Sequence, residues 1–269
     1  TNCLTFKSKN MPVRDTSIRE ISELLAHLGL GRGQTVMIHS ALFTLGRIEG
    51  GLQGFYEAVR NLIGEEGTLI VPTFTYSFRR KQVFDVCNSK TSREIGVFAE
   101  FVRQMPGAVR SLDPLFAMSA IGPKADELMG RTSHNCFGAG SIYERLFSEQ
   151  TSFVGVGITY GSGLTAFLHL ERIADVGYRH EMKFDGVTIG YEGFRDNDWA
   201  MHFVRDEVRY PNVRSDRSVI GRRLEKTKIS KAVDFGSGHH FAIPAQGFSD
   251  FVLSALDEDP EIMVAKKIN

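Results

Sequence analysis

Two apolar runs, TVMIHS at residues 35–40 and GTLIVPTF at residues 67–74, bracket the segment ALFTLGRIEGGLQGFYEAVRNLIGEE at residues 41–66. The first run is short, apolar and rich in β-branched residues, which reads as a buried strand, and the second repeats the pattern. Between them a glycine-containing loop, Ala41 to Gly51, leads into a helix from Leu52 to Ile63 that Gly64 ends. Strand, loop, helix and strand in that order make a βαβ unit, whose strands are expected to be parallel. Upstream, Ile18, Ile21, Leu24, Leu25 and Leu28 recur every three or four residues, an amphipathic helix with Ser17 as N-cap and Gly29 as its stop. Downstream the alternation continues. After a polar stretch, Arg79 to Arg93, come a helix over 96–105, a strand over 115–122, a helix over 141–149, a strand over 151–158 and a helix over 163–175. From Asp185 onward, short alternating runs (Gly186-VTIG, Lys231-AVDFG, Phe241-AIP) suggest antiparallel additions, followed by a helix from Phe248 to Leu256. The expected fold class is α/β: a single-domain α/β/α layered sheet with a parallel core and antiparallel C-terminal additions.

Composition narrows the function. Thirty-two basic residues balance 32 acidic ones, so nothing general attracts the chain to nucleic acid or to an anionic membrane. No apolar run is long enough for a membrane span, and the first 14 residues hold no apolar segment of the signal-peptide type. Three scattered cysteines, Cys3, Cys87 and Cys136, make a disulfide framework improbable. These points give an expectation of a cytoplasmic protein, with residues 1–14 as an N-terminal extension and residues 15–269 as the working domain. Charge is uneven only between Arg205 and Lys231, where nine basic residues face four acids. That stretch reads either as a solvated strand pair and loop or as the neighbour of a phosphate-rich ligand.

In parallel α/β sheets, ligands sit beyond the carboxyl ends of the strands. The first strand ends at His39-Ser40, the second at Pro72-Thr73-Phe74-Thr75, and the third leads into the loop from Gly155 to Gly163. Those three loops are expected to face one crevice. The glycines of the last run as G-x-G-x-x-x-G, one residue away from the dinucleotide fingerprint, which argues against a nicotinamide site. In the following helix Thr165 and His169, four residues apart, share a face, whereas Glu171 projects elsewhere. Histidine suits general-base work because its ordinary pKa is near neutrality. His134 with Cys136, the His239-His240 pair and Trp199 beside Asp196 and Asp198 are weaker candidates, and no metal site is expected.

These same residues, taken in order, resemble the aminoglycoside 3-N-acetyltransferase family, which transfers acetyl from acetyl-CoA to a sugar amine. The matching pieces are His39-Ser40-Ala41 with Gly46; Gly50-Gly51; Gly64-EE-Gly67-Thr68-Leu69; and Pro72-Thr73-Phe74-Thr75. There follow Arg110-Ser111-x-x-Pro114, Ala120-x-Gly122, Phe137-Gly138-x-Gly140-Ser141, Val154-GVG, the Thr165/His169/Glu171 helix and Tyr178-Arg179. Asp234-Phe235-Gly236 through Phe248-SDFV closes the set, over roughly residues 15–260. Three positions depart from the family. Asp113 stands where histidine is usual and Ala117 where serine is usual. The helix signature T-x-x-H-x-x-E reads T-x-x-x-H-x-E, so that Leu168 lies three residues after Thr165.

The resemblance implies direct transfer of an acetyl group from acetyl-CoA to the amine of an aminosugar or aminoglycoside. His169 would be the general base, and Glu171 or Asp198 the carboxylate that orients it. His39, Ser40, Ala41, Thr73, Thr75, Ser111, Phe137, Gly138 and Ser141 would line the coenzyme side, with backbone N–H groups at Ser40–Ala41 stabilising the oxyanion. The implied partner is a small-molecule amine, with a homodimer possible. Two alternatives stay open: an acceptor that is a nucleotide-linked aminosugar of a surface glycan, and a CoA- or sugar-binding homologue without transfer activity.

Overall fold

A computed structural model describes residues 13–131, 133–149, 151–161 and 163–266. Most of the expected N-terminal extension, Cys3 and Ser162 therefore lie outside the described residues. The central sheet has seven strands: β1 (Thr35–Ser40), β2 (Thr68–Pro72), β3 (Val109–Arg110), β4 (Met118–Ile121), β5 (Ser152–Val156), β8 (Lys231–Phe235) and β9 (Gly238–Pro244), with a separate hairpin, β6 (Arg179–Ile189) and β7 (Arg195–Arg205), between them in sequence. Their spatial order is β8-β9-β5-β1-β2-β4-β3. β5, β1 and β2 are mutually parallel, β9 runs antiparallel to β5, and β4 runs antiparallel to β2. The parallel core and the antiparallel C-terminal hairpin are as the sequence implies. The run Gly186-VTIG is placed differently: it belongs to the β6–β7 hairpin, which pairs with Phe84–Asp85 outside the main sheet.

Strict alternation along the parallel strands divides the core in two. Val36, Ile38, Leu69, Val71, Val154 and Val156 pack on one face against α1 (Ile18–His27), α2 (Gly51–Ile63) and α3 (Val97–Arg103). Met37, Ile70 and Phe153 pack on the other against α4 (Ile142–Ser148), α5 (Ala166–Ile173) and α7 (Ala245–Glu258). A strand covered on both faces reads as a continuous apolar run, which is why residues 36–38 and 69–71 show no polar break. The same period of two puts His39 on the Met37 face, toward α4 and α5.

α1 opens on Ser17, the expected N-cap, and Glu20 completes a capping box: Ser17 Oγ accepts from the Glu20 N–H at 3.2 Å, and the Ser17 N–H donates to Glu20 at 2.9 Å. Replacing Ser17 by Ala should lower stability by about 1 kcal/mol in urea unfolding. No change would show that Glu20 alone holds this end. The basic stretch after Arg205 contains α6 (Ser218–Lys226) rather than a strand pair. Its apolar residues Ile220 and Leu224 are four apart and buried, and its cations occupy the outer face. Gly157 shows what the glycines after β5 do. Its φ is +68°, and a Cβ there would lie 2.0 Å from Thr44 Oγ1, so this glycine serves loop packing.

Candidate active site

The carboxyl ends of β1 and β5 meet at one hydroxyl. His39 Nε2 lies 3.1 Å from Thr165 Oγ1, and the phenol of Tyr143 hydrogen-bonds to the same oxygen from α4. Tyr143 is fully buried and His39 nearly so, whereas Thr165 is only partly covered. The result is a hydroxyl with two buried partners, on a residue that is itself partly exposed. Burial pushes the His39 pKa down to about 3, so the ring is neutral at physiological pH. Its Nδ1 has no hydrogen-bond partner, and Phe74 at the end of the β2 loop meets the ring edge-on at 6.4 Å.

α5 carries the other two residues singled out in its sequence. The His169 ring lies between Tyr143 and Phe147, at centroid distances of 6.2 and 5.1 Å. Its Nδ1 accepts the Gly138 N–H at 3.2 Å, with Ser141 Oγ at 3.5 Å. Burial lowers its pKa to about 4, so this imidazole is neutral too, and its lone pair is held by backbone. Glu171 is fully buried. It accepts from Tyr178 Oη at 2.8 Å and from Arg217 at 3.0 Å, with Arg179 Nε at 3.1 Å. The pairing of Glu171 with His169 expected as an orienting dyad is not formed, because residues two apart on a helix diverge. Thr165 at one end of α5 and Glu171 at the other are both fixed by long-range contacts, which sets the helix rotation. Leu168 then takes the place three residues after Thr165, and His169 lies about 100° further round.

The remaining expected residues divide between structural and undecided positions. Thr73 Oγ1 donates to the Ala117 carbonyl and Thr75 Oγ1 to the Pro114 carbonyl, at 3.2 and 3.0 Å, so both hydroxyls are spent inside the protein. Ser111 Oγ accepts the Met118 N–H, and Ser141 caps α4 while donating to the Gly138 carbonyl. Phe137 packs between Phe116, Tyr143 and His202. The Ala41 N–H donates to Val156 O at 2.8 Å, which removes it as an oxyanion donor in this arrangement; Ser40 and Ala41 remain partly open at the strand end. Asp198 stands on the β6–β7 hairpin, bonded to Arg131 at 2.7 Å, Thr188 at 2.6 Å and the Trp199 N–H at 2.8 Å, in contact with His134 rather than His169. Burial opposes its ionisation, and the Arg131 and Thr188 bonds outweigh that, holding its pKa below the usual carboxylate value.

Cys136 is buried against Asp113, its thiol pushed up by burial, which makes it unreactive rather than half of a thiolate–imidazole pair. His239 bridges Asp234 and Glu225, while His240 accepts from Gly157 and contacts the Phe235 carbonyl, so the adjacent histidines face different partners. Among the described residues no cluster of three or more His, Cys, Asp or Glu is placed to hold a metal, and no helix is long and apolar enough to cross a membrane. Sequence reasoning overlooked Tyr143 and Arg217. An aromatic at one α4 position and one arginine in a basic run carry no local sign that they reach Thr165 and Glu171.

This layered sheet is the fold of solved aminoglycoside acetyltransferases. The chain superposes on sisomicin-bound AAC-VIa with a TM-score of 0.80 at 21% identity, covering 91% of this chain and 99% of that one. It superposes on AAC-IIIb in a binary complex with CoASH with a TM-score of 0.77 at 20% identity, covering 91% and 97%. Aminoglycoside N(3)-acetyltransferase VII of Streptomyces paromomycinus is 26% identical over 277 residues, 94% of each chain. The model of the family described as aminoglycoside 3-N-acetyltransferase matches residues 37–257, and the chain belongs to that family. The resemblance drawn from the ordered motifs is thereby borne out.

Proposed function

We propose that this protein transfers an acetyl group from acetyl-CoA to an amino group of an aminosugar, with the proton leaving through Thr165 to His39. Family membership supports the reaction class, and the relatives' names point to a sugar amine as acceptor. The observation that carries the assignment of residues is the 3.1 Å contact between His39 Nε2 and the hydroxyl of the partly exposed Thr165. In the tautomer with its proton on Nδ1, His39 presents a lone pair to Thr165 Oγ–H. The amine nitrogen attacks the thioester carbonyl and a C–N bond forms. The amine proton passes to Thr165 Oγ as the Thr165 proton passes to Nε2. The C–S bond breaks in concert with that transfer, and the coenzyme leaves as a thiolate that takes the proton back from His39. Burial disfavours a resting imidazolium, so proton arrival at His39 is coupled to C–S cleavage rather than preceding it.

His169 is the second reading, favoured by its place on the helix that carries Thr165. It requires the Gly138 N–H to release Nδ1 before the ring can take a proton. The reaction itself is tested by thiol release from acetyl-CoA with a set of aminoglycosides and a set of nucleotide-linked aminosugars. Release with either set is expected. Measurable acetyl-CoA binding with no release for any amine would make the chain a binding homologue instead.

A further inference from the structure

A cavity of about 460 Å³ opens between Arg79 and the paired ends of β6 and β7, lined among others by Arg179, His180, His202, Arg205, Asp206 and Glu207. Its two carboxylates are already occupied: Asp206 accepts the Val208 and Arg209 N–H groups, and Glu207 pairs with Arg205. Arg179 is matched by Glu171. What remains is positive or donating. Arg79 is exposed and has no carboxylate partner among the described residues. His202 is only 8% exposed, and its Nδ1 has no hydrogen-bond partner. Arg205 Nε, a donor only, is likewise buried and unpartnered.

Buried polar groups of this kind are normally satisfied, and two of them on residues that line one cavity, beside an exposed guanidinium, favour an acceptor-rich, negatively charged group. Two packed rings link the cavity wall to the candidate site. His202 packs on Phe116 at 4.7 Å and on Phe137 at 5.7 Å, and Phe137 stacks on Tyr143, whose phenol holds Thr165.

We propose that this cavity is an anion subsite for the acceptor, taking the phosphate of a phosphorylated or nucleotide-linked aminosugar through Arg79, His202 and Arg205. The His202 ring is neutral in the free protein, because burial and the nearby Arg179 and Arg79 hold its pKa near 3. A neutral imidazole still carries one ring N–H, and so donates to a phosphate oxygen without first being charged. The inference rests on the acyl-transfer reading for the amine's fate, but its test reads binding alone, so loss of turnover and loss of anion preference are separate results.

The test is calorimetric titration of the full chain with glucosamine 1-phosphate and with glucosamine. The phosphate ester should bind about tenfold tighter or more, the scale of one or two charge-assisted hydrogen bonds. Arg79→Gln, at an exposed position that leaves the fold intact, should remove most of that preference, and His202→Gln should weaken it independently. Equal affinity for the two sugars overturns the proposal. A second arm compares CoA with 3′-dephospho-CoA. If Arg79→Gln abolishes discrimination between the coenzymes and leaves sugar binding alone, the cavity serves the coenzyme's phosphate and the proposal fails.

Discussion

Replacing His39 by asparagine should lower kcat by about 100- to 10,000-fold, the range contributed by a positioned proton acceptor, with a much smaller change in the KM for acetyl-CoA. Asparagine keeps a polar group at the end of β1 but has no nitrogen that titrates in the useful range. The same exchange at His169 should leave kcat within about tenfold and lower stability instead, by about 1–3 kcal/mol, because the ring packed between Tyr143 and Phe147 would be lost. The two variants therefore give opposite signatures, one in rate and one in the urea midpoint. The reverse pattern, with His169→Asn inactive and His39→Asn active, would place the base on α5 and require the Gly138 contact to open during turnover.

The largest effect on stability is expected at Glu171. Its carboxylate is fully buried and shared by Arg179 and Arg217, whose side chains are only 6% and 8% exposed. Two opposing terms meet here. Burying the ions costs several kcal/mol each, and their mutual attraction in a poorly polarisable interior repays it. Removing only the anion leaves the cost without the repayment. Glu171→Ala should therefore destabilise by about 3–5 kcal/mol, while Glu171→Gln, which keeps an acceptor for Tyr178, should cost less. A loss below ~1 kcal/mol in urea unfolding would mean that both guanidinium groups reach water when the carboxylate is gone.

Local sequence spacing carried much of the fold. Val36 and Ile38 against Met37 and His39 already encode which face of β1 meets which helix layer, and Ser17 marks the start of α1. The rotation of α5 was not legible. It is set by Thr165 meeting His39, 126 residues away, and by Glu171 meeting Arg217, 46 residues away. Helical spacing relates residues of one turn and says nothing about which distant group anchors each end, so the face shared by Thr165 and His169 pointed to a joint role. Thr73 and Thr75 illustrate the same limit. A hydroxyl at a strand end reads as a ligand-binding group until the Ala117 and Pro114 carbonyls that consume it are in view. In the basic stretch, the buried pair Ile220 and Leu224 was outweighed by surrounding charge, and the helix went unseen.

The central claim is that Thr165 and His39 act as one proton-accepting unit. A double-mutant cycle on kcat with Thr165→Val and His39→Asn tests it most directly, because groups that act together lose their effect together. The account predicts that each single variant is strongly impaired and that the double variant is no slower than the worse single one. Effects that multiply, or a Thr165→Val enzyme with unaltered kcat, would contradict it.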